Sequence, residues 1–353
     1  MESKPIVLIT GVTGFLGAWV TKKALDTGKF KVRGSMRDCN NERRIKLLKD
    51  AFGTDFDKIE LVSADLSDKD SISKAIEGCT YVFHVASPYP AKSPKDDMEL
   101  IGPAVAGNEN VLEACDKHNV KRVIVTSSCS TIDDFSQGKV ELNEEYFCEP
   151  KSYTTPYIKS KIAAEKRAWE LIDEINNKPE RKNNKLEMTM VLPALITGPL
   201  LINEYSSSAK IFGDVLEGKS AGFPPYHARP IDVRDVATAQ IRALETAPFK
   251  RYALVERNFW IAEAGKWISE EFTQYGYKPT TKVLCPFTLW VGSFIDKDAK
   301  YFYKAAKVEM TINTDMTKKE LKIDYIDAKQ SFIDMCYSFI KHGVIEAKGD
   351  LKK

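Results

Sequence analysis

The chain has no C-x-x-C pair, no histidines at metal-ligating spacing, no excess of one charge and no apolar run long enough to span a membrane. Each absence bears on a class of function. The seven cysteines, Cys39, Cys79, Cys115, Cys129, Cys148, Cys285 and Cys336, are odd in number and widely scattered. That argues against a disulfide framework and a zinc site and suits reduced thiols. The four histidines, His84, His118, His227 and His342, show no ligand spacing, so no metal is expected. With 52 basic and 50 acidic residues the formal charge is only +2, spread along the chain, which suggests neither nucleic acid nor an anionic membrane as partner. The Lys/Asn-rich stretch around 176–185 lacks an aromatic residue for base stacking and reads as a solvated turn. The first apolar segment, Pro5 to Thr10, is far too short for a bilayer and runs into glycines rather than a cleavage site, so the cytoplasm is the expected compartment. The serines lack the G-x-S-x-G elbow of an α/β-hydrolase.

What is present is an alternation of short β-branched runs and longer amphipathic stretches over the first 130 residues, the pattern of a parallel sheet with crossover helices. Strands are expected at 6–10, 31–35, 59–63, 81–85 and 122–126, with helices at 15–27, 41–51, 71–77 and 98–118. A long helix from 156 to about 176 and a sixth strand at 187–192 follow. After Gly198-Pro199 turns appear, and helical segments return at 233–246, 262–275 and 327–341. The expected fold is α/β: a Rossmann-type doubly wound parallel sheet with a smaller, mainly helical C-terminal substrate-binding part. Residues 1–198 would form the dinucleotide-binding domain and 199–353 mainly the substrate part, with about 228–247 returning to the first. In such folds ligands lie beyond the carboxyl ends of the strands, which puts the cleft between the two parts.

Thr10-Gly11-Val12-Thr13-Gly14-Phe15-Leu16-Gly17 follows the first expected strand directly and opens the first helix. Gly11 permits the tight turn, Gly14 lets backbone N–H groups approach a pyrophosphate at the helix N-terminus, and Gly17 lets helix and sheet pack closely. At the end of the second strand, where an acid would bind the ribose hydroxyls of NAD, the sequence reads Val32-Arg33-Gly34-Ser35-Met36-Arg37-Asp38. Arg37 offers a planar, permanently charged fork to a 2′-phosphate, with Arg43 or Arg44 as a second cation, which favours NADPH. The alternatives are that Arg37 is a surface arginine, or that Asp38 takes the ribose. Asp65-Leu66 and Val85-Ala86-Ser87, closing the third and fourth strands, lie where an adenine ring and the cofactor backbone would pass, or are simple strand ends.

Tyr157 and Lys161 share one helix face at four-residue spacing. Three other Tyr-x-x-x-Lys pairs occur in the chain. What distinguishes Tyr157 is its place 29 residues after Ser128, where Thr126-Ser127-Ser128 ends a buried strand in hydroxyls. A phenol has an unperturbed pKa of about 10, and a neighbouring ammonium lowers it. Tyr157 then serves as general acid as hydride reaches a carbonyl carbon, Ser128 stabilises the charge growing on oxygen, and Lys161 tunes the phenol and binds the nicotinamide ribose. Ser127 is the fallback for the serine, since adjacent strand residues face opposite ways. His227, beside a Pro-rich turn, is either a pocket residue or incidental.

These segments, with ADLSD, FHVASP, KRVIVTSS, PYIKSKIAAEKRAWE, VLPALITGP and IDVRDVATA, occur in the order and spacing of the dihydroflavonol reductase-like group of extended short-chain dehydrogenases/reductases. That group includes cinnamoyl-CoA reductases and fungal methylglyoxal/aldehyde reductases, and the resemblance covers roughly residues 5 to 345. It implies NADPH along Gly11, Thr13, Gly14, Phe15, Leu16 and Gly17, with Arg37 and Arg44 on the 2′-phosphate and Asp65-Leu66 at the adenine. Val85, Ala86, Ser87 and Thr126 would border the cofactor, and Pro193, Ala194 and Ile196 the nicotinamide. It further implies catalytic Ser128, Tyr157 and Lys161, and a substrate near Ser87, Pro88, Ile196 and Phe223. Asp133 matches a position that reads the hydroxylated ring in flavonoid-type members, whereas Ser130-Thr131-Ile132 and the tyrosine-rich C-terminal region depart from the plant pattern.

The function expected is NADPH-dependent reduction of a small-molecule aldehyde or ketone by a monomer or homodimer. A nucleotide-sugar epimerase or dehydratase would want an acid in place of Arg37. A silent cofactor-binding sensor would be expected to have lost Tyr157 or Lys161.

Overall fold

The computed structural model describes residues 4–88, 96–135, 139–204, 207–306 and 308–352. Seven strands form one parallel sheet: β1 (Ile6–Thr10), β2 (Lys31–Met36), β3 (Ile59–Ser63), β4 (Tyr81–His84), β5 (Arg122–Thr126), β6 (Glu187–Pro193) and β7 (Arg251–Leu254). Their spatial order is 3-2-1-4-5-6-7. Helices α1 (Phe15–Thr27), α2 (Glu42–Phe52), α3 (Lys69–Ile76), α4 (Met98–Lys117) and α5 (Pro156–Asn176) make the crossovers. Alternation along β1 sorts the two faces. Val7 and Ile9 pack with α1 and α2, whereas Leu8 packs with α3, α4 and α5.

The sequence reading places six of these strands to within a residue at each end. It misses β7, which pairs with Met190–Pro193 of β6. Its Arg-Tyr-Ala-Leu sequence carries no β-branched residue, and burial of all four positions comes from long-range pairing that no local pattern reports.

After a two-strand ribbon that pairs Leu195–Thr197 with Pro230–Asp232, the chain is mainly helical: α6 (Ser207–Leu216), α7 (Val233–Arg242), α8 (Ala262–Phe272), α9 (Pro286–Gly292), α10 (Lys297–Ala305), α11 (Asp315–Leu321) and α12 (Ala328–Lys341). Helix α7 packs against α1 through Val233, Val236 and Ala237, within the core that holds Val7 and Ile9. Helices α6, α8 and α12 build a separate core around Phe212, Phe259, Phe272 and Phe332. A fourth cluster, Phe135, Ile158, Ile162, Tyr301 and Met310, joins the start of α5 to α10, with Tyr157 and Tyr226 packed against it. The molecule is thus a Rossmann-type α/β fold with a helical C-terminal region.

Candidate active site

The turn after β1 is shaped by space as much as by conformation. Gly11 has φ +73°, and a Cβ on Gly17 would lie 2.1 Å from the Gly11 carbonyl oxygen, so a side chain there would drive α1 off the strand. Gly14 caps α1 in an extended conformation without a side-chain bond, and the first turn holds no acid. The positive end of the helix is therefore open to an anion. Thr13 and Leu16 are buried and Phe15 half-buried, so these three shape the turn as well as border it.

Beyond β2, Arg37 is exposed and Asp38 turns its carboxylate back onto the Asn40 N–H at 2.8 Å. Arg44 sits between Thr13 Oγ1 and Glu204, at 3.3 Å from each. Asp65 accepts from the Ser67 N–H at 2.9 Å and from its hydroxyl, bonds that hold its carboxyl below the usual carboxylate range, with Arg37 adding in the same direction. Leu66 lines a narrow cleft together with Ala86, Ser87, Pro88 and Lys161.

Strand β5 delivers its three hydroxyls to three places. Thr126 accepts from Gln240 Nε2 on α7 at 2.8 Å. Ser127 is buried and donates to Glu165, whose other oxygen is bound by Arg251 Nε at 2.6 Å. Ser128 is half-buried and accepts the Ser130 N–H at 3.2 Å. Helix α5 starts with Pro156 at its first position and Thr155 as cap. It then presents Tyr157 and, one turn on, Lys161. The Lys161 ammonium is buried, donates to Ser87 Oγ at 3.2 Å, and lies 6.0 Å from the Tyr157 ring centre. Burial pulls it down from 10.5 to about 8, and Glu165 offsets this only in part.

The residues expected near the substrate are placed differently. Asp133 is buried, with each carboxylate oxygen 2.9 Å from Arg229 Nη2 and Oδ2 also accepting from the Tyr301 hydroxyl at 3.1 Å. Arg229 Nη2 further donates to the Tyr226 hydroxyl at 2.9 Å. Burial alone would lower the Arg229 guanidinium, but Asp133, with Tyr226 and Tyr301 adding in the same direction, holds it above the usual arginine range. Phe223 is buried in the α6–α8–α12 core. His227 directs Nδ1 to the Met310 carbonyl at 2.9 Å. At the end of β6, Pro193 is buried, Ala194 donates to the Leu254 carbonyl at 3.2 Å, and Ile196 lies in the ribbon beside Ile231. Pro88 is half-buried at the cleft. Among the described residues there is no group of three or more His, Cys, Asp or Glu able to hold a metal, and no helix long and apolar enough to cross a membrane.

Sequence reasoning missed Glu165, Arg251, Asn108 and Arg229. Glu165 was within reach, because it lies four residues past Lys161 on the same helical face.

A parallel sheet in this order, a glycine turn at β1 and a Tyr/Lys pair on α5 define a class of fold by themselves. The chain belongs to the NAD dependent epimerase/dehydratase family, whose model matches residues 7–253, and within these extended short-chain dehydrogenases/reductases to the dihydroflavonol and cinnamoyl-CoA reductase-like group. It is 34% identical over 253 residues to tetraketide alpha-pyrone reductase 1 of Arabidopsis thaliana, covering 69% of this chain and 74% of that one. Cinnamoyl-CoA reductase CAD2 of Medicago truncatula is 30% identical over 262 residues, 71% and 76% of the two chains. The structure of yeast methylglyoxal/isovaleraldehyde reductase Gre2 complexed with NADPH superposes with a TM-score of 0.75 at 24% identity, over 96% of this chain and 99% of that one, a likeness of fold.

Proposed function

We propose that this protein reduces an aldehyde or ketone to an alcohol with NADPH, with Tyr157 as proton donor, Ser128 as the hydroxyl that stabilises the substrate oxygen, and Lys161 beside both phenol and cofactor. The observation that carries the reading is a buried ammonium with no carboxylate bonded to it among the described residues, on the helix face of Tyr157 and at the carboxyl ends of the strands. Related reductases named for carbonyl substrates support the same chemistry.

The residues fit a dinucleotide phosphate. The glycine turn is so tight that a Cβ at Gly17 would meet the Gly11 carbonyl, the α1 N-terminus has no capping side chain, and the exposed Arg37 guanidinium just past β2 is available to a 2′-phosphate. When bound, the dihydronicotinamide supplies the hydride. The chain supplies the rest. Lys161 holds positive charge near the phenol, which eases proton release from Tyr157 as the substrate oxygen becomes basic. Ser128 is favoured over Ser127 because Glu165 already holds the Ser127 hydroxyl. Asp133 is engaged on both oxygens by Arg229, which favours a substrate without the hydroxylated ring that flavonoid-type members read. Five buried thiols and no disulfide among the seven cysteines suit a reducing cytoplasm.

The test follows NADPH and then NADH at 340 nm against small dicarbonyls, aromatic aldehydes, hydroxycinnamoyl thioesters and dihydroflavonols. Turnover favouring NADPH is expected, with Tyr157→Phe slower by about 10²–10⁴-fold. Tight NADPH binding with no turnover of any compound would point instead to a silent cofactor-binding protein.

A further inference from the structure

Beneath the Lys161–Ser87 contact, one buried chain of hydrogen bonds ties four elements together. Asn108 on α4 donates through Nδ2 to the Ala164 carbonyl of α5 at 3.0 Å, and a carbonyl can only accept. The Asn108 oxygen therefore faces His84 Nε2 at 3.0 Å, and that nitrogen must carry the proton. Nδ1 is then the acceptor, and the Thr10 hydroxyl donates to it at 3.1 Å. The Thr10 oxygen in turn accepts from the N–H groups of Val85 at 3.0 Å and Ala86 at 2.9 Å. The direction of every bond is thereby set, from α5 through α4 and β4 to the end of β1.

We infer that His84, neutral and protonated on Nε2, is a positioning residue that fixes the register between the helix carrying Tyr157 and Lys161 and the strand ends carrying Gly11 and Ser87. The inference rests on the reductase reading, since it assigns His84 a part in holding that site. Ser87, the residue after Ala86, receives the Lys161 bond, so a shift in this chain moves the ammonium relative to the glycine turn.

Protonation of His84 would break the chain. Nδ1–H would become a third donor to a hydroxyl oxygen that already accepts two, and the Thr10 proton would lose its acceptor. The charged groups facing the ring both come from α5. Lys161 repels an imidazolium, and Glu165 is engaged by Ser127 and Arg251. Thr10 from β1 and Asn108 from α4 are neutral. Burial accordingly holds His84 at about 4, with Asn108 opposing the shift and Lys161 adding to it.

Two measurements test the inference. In long-range ¹⁵N–¹H spectra of the whole protein, the resonances lost in His84→Gln identify His84, and these should show the Nε2–H form without titration between pH 5 and 8. A proton on Nδ1, or titration in that range, would overturn the inference whether or not a substrate is known. Second, Asn108→Asp keeps the outline of the side chain, gives up the bond to the Ala164 carbonyl at every pH, and places a carboxylate against His84, raising its proton affinity. The ratio of variant to wild-type kcat/KM should then fall about tenfold from pH 8 to pH 6, with NADPH affinity changed less than about threefold. A ratio flat with pH would count against His84 alone, whereas a wild type inert toward every carbonyl would count against the reductase reading.

Discussion

Lys161 and Arg229 are both buried cations, and the fold treats them in opposite ways. On the side proposed for the substrate, Arg229 has a carboxylate partner in Asp133 and two phenols, Tyr226 and Tyr301, around the pair. On the side proposed for the cofactor, Lys161 has among the described residues one hydrogen bond, to a neutral hydroxyl. The nearest acid, Glu165, is taken by Arg251 and Ser127. A cation compensated in this way serves as a strut. One left uncompensated has its charge disfavoured by burial, an arrangement that is common at sites of chemistry and costly elsewhere.

The contrast can be broken from either side. Asp133→Ala leaves Arg229 buried and unpaired, and urea unfolding should show a loss of about 3–5 kcal/mol. A loss under about 1 kcal/mol would mean that the pair is solvated and not a strut. On the cofactor side, Gly17→Ala forces a Cβ against the Gly11 carbonyl. It should cost about 1–3 kcal/mol and weaken NADPH binding in a fluorescence titration. Unchanged binding would show that the turn is not the cofactor cradle. The two serines sharpen the comparison at the smallest scale. Ser127→Ala should lower stability by about 1–2 kcal/mol because Glu165 loses a donor, with turnover little changed. Ser128→Ala should do the reverse, and the opposite pattern would transfer the serine role to Ser127.

These two sides also differ in how legible they were. The glycine turn, the helix start at Pro156 and the Tyr157/Lys161 face rest on spacings of a few residues, and the sequence states them outright. Arg37 was read from its place after β2, again a local fact. By contrast, Asp133 and Arg229 are 96 residues apart, and neither has a local pattern that names the other. By resemblance Asp133 matches a position that reads the ring in flavonoid-type members, and the structure adds that its carboxylate is bonded to Arg229 because a later segment folds back over it. Phe223, expected near the substrate from the resemblance, is buried between α6 and α8, where Gly265 leaves room for its ring. Strand β7 and the Glu165–Arg251 pair needed the three-dimensional neighbourhood of the sheet edge.

The measurement that tests the account most directly is Lys161→Met, followed by turnover and by urea unfolding across pH in the absence of cofactor. Native Lys161 releases its proton near 8, against 10.5 in the unfolded chain. Between those values the unfolded state holds more protons, so wild-type stability gains from this group as pH rises, and its full cost is present below about 8. The account predicts a variant without reductase activity that is more stable than wild type by about 1–3 kcal/mol at pH 7, an advantage that shrinks as pH approaches 10.5. A variant less stable than wild type at pH 7, or one that still reduces carbonyls at the wild-type rate, would contradict it.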